Sequence, residues 1–302
     1  MARFFVAGLC NIETTLAIDN FPLEYSPDNY PFFGVQSTVS GVGLNIAKAL
    51  TTLRNQVDLA SMIGEDNNGL LVRRALKDAG ISDALVVSRL AETAQSVIIY
   101  EMEGRRQIHT DLKDIQRQTY PIQHAKVALE KCDLAVICNI NFARPLLGVA
   151  KDLGKPIASD VHALVSLDDN YNQDYIQAAN ILFMSDEKLP DTPERVATEV
   201  MRRFNTDILV IGLGKKGALL AVREDDFIGR FDPVRTRRVV NSIGAGDALF
   251  SSFLDGYMCN SDPYSALKRA MVFASYKIGE KGAAHGFLSP EALEEWVKKV
   301  FL

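Results

Sequence analysis

From residue 123 onward the chain alternates, at short and regular intervals, between apolar runs of strand length and stretches of helical spacing. A helix ends at Lys131, a strand runs from Leu134 to Cys138, and a helix lies near Leu146 to Leu153. Strands follow at Ile157 to Asp160 and Ile181 to Met184, then a helix around Glu194 to Phe204 and a strand from Ile208 to Gly212. Parallel neighbours need long crossovers and helices supply them, so this repetition dictates a mostly parallel sheet covered by helices on both faces. Arg3 to Gly8 reads as one more such strand, apolar throughout and therefore buried on both sides. The strand Gln56 to Ile63 and the helix Leu70 to Ala79, closed by Gly80, continue the pattern.

Two stretches interrupt it. Thr14 to Ser40 is rich in aromatics and short alternating pieces, and Pro22, Pro27 and Pro31 rule out a long helix. Val97 to Tyr100 and Gln107 to His109 flank Glu103-Gly104-Arg105, a hairpin signal. The expectation is a single α/β domain over residues 1–302: a doubly wound, mostly parallel sheet flanked by helices, with a small antiparallel β lid from residues 12–40 and 88–112.

A hydrophobic content of 47% in 302 residues is enough for one large core. The net charge of −5 is spread over mixed residues with no long basic run, which argues against a nucleic-acid partner. No apolar run approaches the ~20 residues of a membrane helix. Cys10, Cys132, Cys138 and Cys259 show neither metal-ligand spacing nor a disulfide framework and fit a reduced, cytoplasmic protein.

Open α/β sheets bind ligands beyond the carboxyl ends of their strands. Asn11, Glu13, Asn139, Asn141, Asp160, Ser185 and Glu187 all fall at such ends. Three glycine-containing turns accompany them: Ser40-Gly41-Val42-Gly43-Leu44-Asn45 before a helical stretch, Gly212-Leu213-Gly214-Lys215-Lys216-Gly217, and Gly282-Ala283-Ala284-His285-Gly286. The stretch Val239 to Phe253 reads as an apolar strand end, a break at Gly244-Ala245-Gly246, one acid at Asp247 and then a helix. Closely spaced amides and the positive end of a helix dipole make that break an anion hole with a carboxylate beside it.

The histidines lack zinc spacing, no Gly-x-Ser-x-Gly elbow is present, and no Gly-x-Gly-x-x-Gly follows the first strand. Phosphoryl transfer suits the remaining parts, because it needs oriented N–H donors, a base and cationic help. Gly244, Ala245 and Gly246 would supply donors and Asp247 the base. Arg105 and Arg106, at the hairpin turn, could reach a phosphate or carboxylate.

These residues resemble the PfkB/ribokinase family of carbohydrate and nucleoside kinases. Asn241-Ser242-Ile243-Gly244-Ala245-Gly246-Asp247 is similar to the family signature Asp-Thr-x-Gly-Ala-Gly-Asp, and Ser40 to Asn45 to its Gly-Gly-x-Gly-x-Asn. The resemblance implies ATP-dependent transfer, with Mg²⁺, to a primary hydroxyl of a sugar or sugar-like molecule. A nucleoside acceptor, or a catalytically impaired binding protein, are the alternatives. It implies Asp247 as base, Gly244 to Gly246 as anion hole, and Gly41, Gly43, Asn45, Glu13 and Asn141 on the substrate side, where Asn11 and Arg105 are also expected. Ser185, Gly212, Gly214, Asn241, Gly282 and Ala283 fall on the nucleotide side.

Two departures bear on the cations. The family's Asn-x-x-Glu is here Ser185-Asp186-Glu187-Lys188, so that either Glu187 takes the metal role or metal handling is altered. Asn241 in place of aspartate removes a charge from the expected monovalent-cation site and leaves potassium activation open. The apolar, edge-rich lid could pair with a second copy into a homodimer.

Overall fold

The computed structural model describes residues 1–101 and 105–301. The expected turn at Glu103-Gly104 lies outside the described residues.

In chain order the strands of the large sheet are β1 (Arg3–Ala7), β4 (Gln56–Gly64), β5 (Val86–Leu90), β8 (Leu134–Ile137), β9 (Ile157–Ala163), β10 (Ile181–Ser185), β11 (Ile208–Gly212), β12 (Ala218–Val222) and β13 (Phe227–Phe231). The lid takes the intervening β2 (Asn11–Ala17), β3 (Val35–Ser40), β6 (Gln95–Tyr100) and β7 (Arg106–Asp111). The helices are α1 (Val42–Thr52), α2 (Asn67–Asp78), α3 (Ile122–Lys131), α4 (Arg144–Asp152), α5 (Gln173–Ala178), α6 (Pro193–Arg203), α7 (Ala245–Asn260), α8 (Pro263–Lys277) and α9 (Pro290–Phe301).

The nine-stranded sheet runs β13-β12-β11-β10-β9-β8-β1-β4-β5. All pairings from β5 to β11 are parallel, and the hairpin β12–β13 is added antiparallel at the edge. β1 explains why the sheet must be covered twice. Phe5 and Ala7 enter one core with Leu129 of α3, Leu146 of α4, Tyr175 of α5 and Val196 of α6. Phe4 and Val6 enter the other with Leu44 of α1, Val72 of α2, Phe250 of α7 and Leu267 of α8. An apolar residue at every position of a strand finds a partner only between two helical layers.

Neighbours β4 and β8 lie on opposite sides of β1, so the winding reverses there, and the crevice beyond its carboxyl end is the switch point where such sheets hold ligands. The chain leaves β1 through Gly8 and runs directly into the lid. A Cβ on Gly43, in the first turn of α1, would stand 2.5 Å from the Gly8 carbonyl carbon. Only glycine lets the helix start this close to the strand.

The lid sheet runs β3-β2-β6-β7. Its two outer ladders are antiparallel, whereas the central β2–β6 pairing is parallel, with Ile12 beside Gln95 and Ala17 beside Tyr100. Of the segment expected in the lid, Ser88, Arg89 and Leu90 instead belong to β5 at the edge of the large sheet. The expected strand end at Val239 is also absent. Residues 232–244 contain no strand, and their main chain is fixed where the Val240 and Asn241 amides donate to the Ile278 carbonyl at 2.8 and 3.2 Å. Val239 itself is exposed, which an apolar strand end would not be.

Candidate active site

Asp247 sits in the first turn of α7, only 8% exposed. The helix is opened by Gly244 at φ +74°, and no side chain caps it. A Cβ there would lie 2.8 Å from the Ala283 carbonyl, so the turn into α7 packs directly on the loop after α8. First-turn amides have no preceding helical carbonyl to meet. A Cβ added to Gly246 would touch nothing within 4 Å, which leaves room beside those amides for an anionic group.

A continuous polar chain leads from the lid to Asp247. Asn45, one turn into α1, donates from Nδ2 to Asp247 Oδ2 at 2.7 Å. The Ser40 hydroxyl, at the end of β3, lies 3.2 Å from Asn45 Oδ1 and 3.0 Å from Glu13 Oε2. The ladder between β2 and β3 pairs Glu13 with Thr38 and Asn11 with Ser40, so four polar groups are gathered on adjoining strands. Asn11 donates to Ser96 of β6 at 3.0 Å. Three buried oxygens of this cluster, Asn11 Oδ1, Glu13 Oε1 and Thr38 Oγ1, have no hydrogen-bond partner among the described residues. Buried acceptors left this way are costly unless a ligand's donors reach them.

Burial drives the electrostatics. It pushes the carboxyls of both Asp247 and Glu13 above their usual range. For Asp247 the Asn45 hydrogen bond, His162 whenever it is protonated, and the Lys277 ammonium oppose the rise, while Asp160 adds to it. For Glu13 the Ser40 hydroxyl opposes it and the charge of Asp247 adds to it. Asp160 and His162, at the end of β9, are themselves 3.5 Å apart.

The remaining sequence candidates divide. Gly282 and Ala283 meet the cluster, Gly282 through Thr38 at 3.9 Å from a Cβ placed on it. Asn241 is buried and caps its own turn, its Oδ1 accepting the Ile243 amide at 3.1 Å. Ser185, Glu187 and the Gly212 turn are joined to one another: the Glu187 amide donates to Ser185 Oγ at 3.2 Å and the Asp186 amide to the Gly212 carbonyl at 3.0 Å. Gly214 faces open space.

Asn141 and Arg105 are engaged elsewhere. Asn141 Nδ2 donates to the Gln116 carbonyl at 2.6 Å and Oδ1 accepts from Arg144 at 3.1 Å. Arg105 is ion-paired with Glu101 and donates to the Phe21 carbonyl at 3.3 Å, inside the lid. Its neighbour Arg106 is the one that crosses to the large domain. It donates to Ser242 Oγ at 2.9 Å and stands 3.5 Å from Glu187 Oε1. Sequence reasoning passed over Lys277, His162 and Thr38. Thr38 alone carried a signal, its place opposite Glu13 in an alternating pair of strands.

A carboxylate buried in the first turn of a glycine-opened helix, at the switch point of a doubly wound sheet and beneath a β lid, defines a small-molecule phosphotransferase of ribokinase-like fold. The chain belongs to the pfkB family of carbohydrate kinases, whose sequence pattern matches residues 1–290. It is 23% identical to an ATP-dependent ribose-1-phosphate kinase of Halopiger xanaduensis over 94% of each chain. In fold it is similar to a microbiome-derived acarbose kinase (TM-score 0.88, 24% identity, 98% of this chain and 99% of that one). A nucleoside kinase of Burkholderia thailandensis, solved with inosine, superimposes with a TM-score of 0.78 at 18% identity over 99% of both.

Proposed function

We propose that this kinase transfers the terminal phosphoryl group of ATP to a primary hydroxyl of a sugar or sugar-like molecule, with Asp247 as the general base. The observation that carries the reading is the run Glu13–Ser40–Asn45–Asp247 together with the unpartnered Asn11, Glu13 and Thr38 oxygens. A row of buried acceptors ending at a buried carboxylate suits a ligand with several hydroxyl donors, one of them presented to the base. Asn45 holds the Asp247 carboxylate in place, and Asp247 accepts the proton of the attacking hydroxyl. The amides of Gly244 and Gly246 face the charge that develops on the transferred group, while that of Ala245 donates to the Ser242 carbonyl at 3.3 Å and holds the turn.

Among the described residues no group of three or more His, Cys, Asp or Glu side chains could hold a metal ion. Mg²⁺ does not need such a cage, since it keeps waters and binds through one or two carboxylates plus phosphates. Glu187, beside Ser185 and the Gly212 turn, would hold it. Held there, it would supply positive charge to offset that of the phosphate oxygens.

The sugar reading is preferred to a nucleoside one because Phe32 and Phe33, the aromatics available to stack on a base, are 87% and 95% exposed. A thermal-shift screen of sugars, sugar phosphates and nucleosides tests it, since a ligand of the native state raises apparent stability. Stabilisation by nucleosides alone would reverse the preference. The exposed Val35 and Val97, on one face of the lid, support its pairing with a second copy, which light scattering measures.

Arg106→Ala is expected to raise the KM for ATP several-fold, because the side chain spans Ser242 at the entry to the anion hole and Glu187. Its pair with the exposed Glu187 adds at most ~1 kcal/mol to stability, so the melting temperature should hardly move. A KM unchanged in steady-state kinetics would sink this placement.

A further inference from the structure

Lys277 is the last residue of α8 and is completely buried. Lysines at helix ends ordinarily reach past the last turn into water, with only their methylene stems covered. Lys277 turns its ammonium inward. Nζ donates to the Ile243 carbonyl, in the loop that leads into α7, and to the Gly282 carbonyl at 2.9 Å, in the loop that follows α8. Neither is one of the last-turn carbonyls of α8, so this is not ordinary helix capping.

Burying an ammonium is expensive unless its donors are satisfied and opposite charge is near. Burial pulls the Lys277 pKa down to about 8, and the carboxylates of Asp247 on α7, Glu13 on β2 and Glu280 in the next loop oppose that fall, while two main-chain carbonyls accept from Nζ. Asn241, in the loop that precedes α7, is neutral and spends its oxygen on the Ile243 amide. A compact positive charge seated on main-chain carbonyls from two loops is also what a bound monovalent cation makes. Here the carbonyls are already taken.

We infer that Lys277 is a built-in cation that replaces a diffusible monovalent ion, pinning the Ile243–Gly246 turn to the Gly282–Ala283 loop and so positioning the phosphate-facing amides and Asp247. This deepens the phosphotransfer reading and rests on it. The same two loops touch at Gly244 and Ala283, so loss of the pin frees both sides of the junction at once.

The test compares rates in potassium, sodium and tetramethylammonium chloride at constant ionic strength, alongside calorimetric binding of ADP. The unaltered enzyme should give the same rate and the same ADP affinity in all three salts. Lys277→Ala should lose about 10–100-fold in kcat, the scale of a lost charged hydrogen bond, with the KM of the sugar little changed. Potassium or ammonium should restore much of that loss and tighten ADP binding. Lys277→Met fills the space without the charge and should lose rate without being rescued.

Activation of the unaltered enzyme by potassium, or a Lys277→Met variant equal to it in kcat and ADP affinity, would overturn the inference. Should Lys277→Ala fail to fold, the salt comparison on the unaltered enzyme and the Lys277→Met variant still decide. If no sugar or nucleoside supports turnover, the phosphotransfer reading falls, while the salt dependence of ADP binding reports on Lys277 separately.

Discussion

Asp247→Asn is expected to lower kcat by about 10²–10⁴-fold, the usual contribution of a positioned general base, with the KM values little changed. The substitution keeps the shape of the side chain and a group for Asn45 to meet, so the loss belongs to the chemistry. It should also make the protein more stable near neutral pH. Burial raises the Asp247 pKa from its ordinary value of 3.8, which means that the fold favours the protonated form. The stability this group contributes is therefore full below that value and lost as pH rises through the folded pKa. Above both values the fold carries an ionised buried carboxylate, and asparagine relieves it. A coupled ATPase assay with the identified sugar, and a melting curve of each protein, measure the two effects. An asparagine variant that turned over at the original rate would move the base elsewhere.

The second large effect is expected at Asn45. Asn45→Ala removes the hydrogen bond that opposes the burial of Asp247, so the Asp247 pKa should climb further and the acid limb of the pH–rate profile should move to higher pH. The rate on the plateau should also fall by about 10–100-fold, because a charged group has lost a hydrogen bond and its orientation. A profile shifted down without moving along the pH axis would mean that Asn45 touches only the substrate. The Lys277 ammonium, which stabilises the ionised form, remains in the variant, so the limb should move without disappearing.

The two-layer fold was legible because β1 is apolar at every position and the alternation after residue 123 admits few arrangements. The turn into α7 was legible because Gly244, at φ +74°, is needed to open the helix that carries Asp247. The exceptions have local causes. Val239 and Val240 look like a strand, yet the chain here runs along the end of α8, where the Ile278 carbonyl takes the amides of Val240 and Asn241. Ser88 to Leu90 were placed in the lid because a short edge strand has no pattern that separates it from the strand that follows. Arg105 and Arg106 differ by one position, and at the mouth of a strand one position reverses the side a residue faces. Lys277 was invisible for a different reason. A lysine in the last turn of a helix is the most ordinary of placements, and only the folding of the distant Ile243 loop against the loop that follows α8 makes it otherwise.

The parallel pairing at the centre of the lid has a consequence for how the molecule is made. An antiparallel hairpin can zip up from its own turn, but β2 and β6 run in the same direction, and Ile12 meets Gln95 only after the chain has passed through α1, β4, α2 and β5. Closing so long a loop is slow unless intervening structure brings its ends together. The large sheet does this, since β2 leaves β1 directly and β6 follows β5 on the same side of it. The cover is thus expected to assemble after its base, and amide protection during refolding should reach β1 and β4 before it reaches β2 and β6.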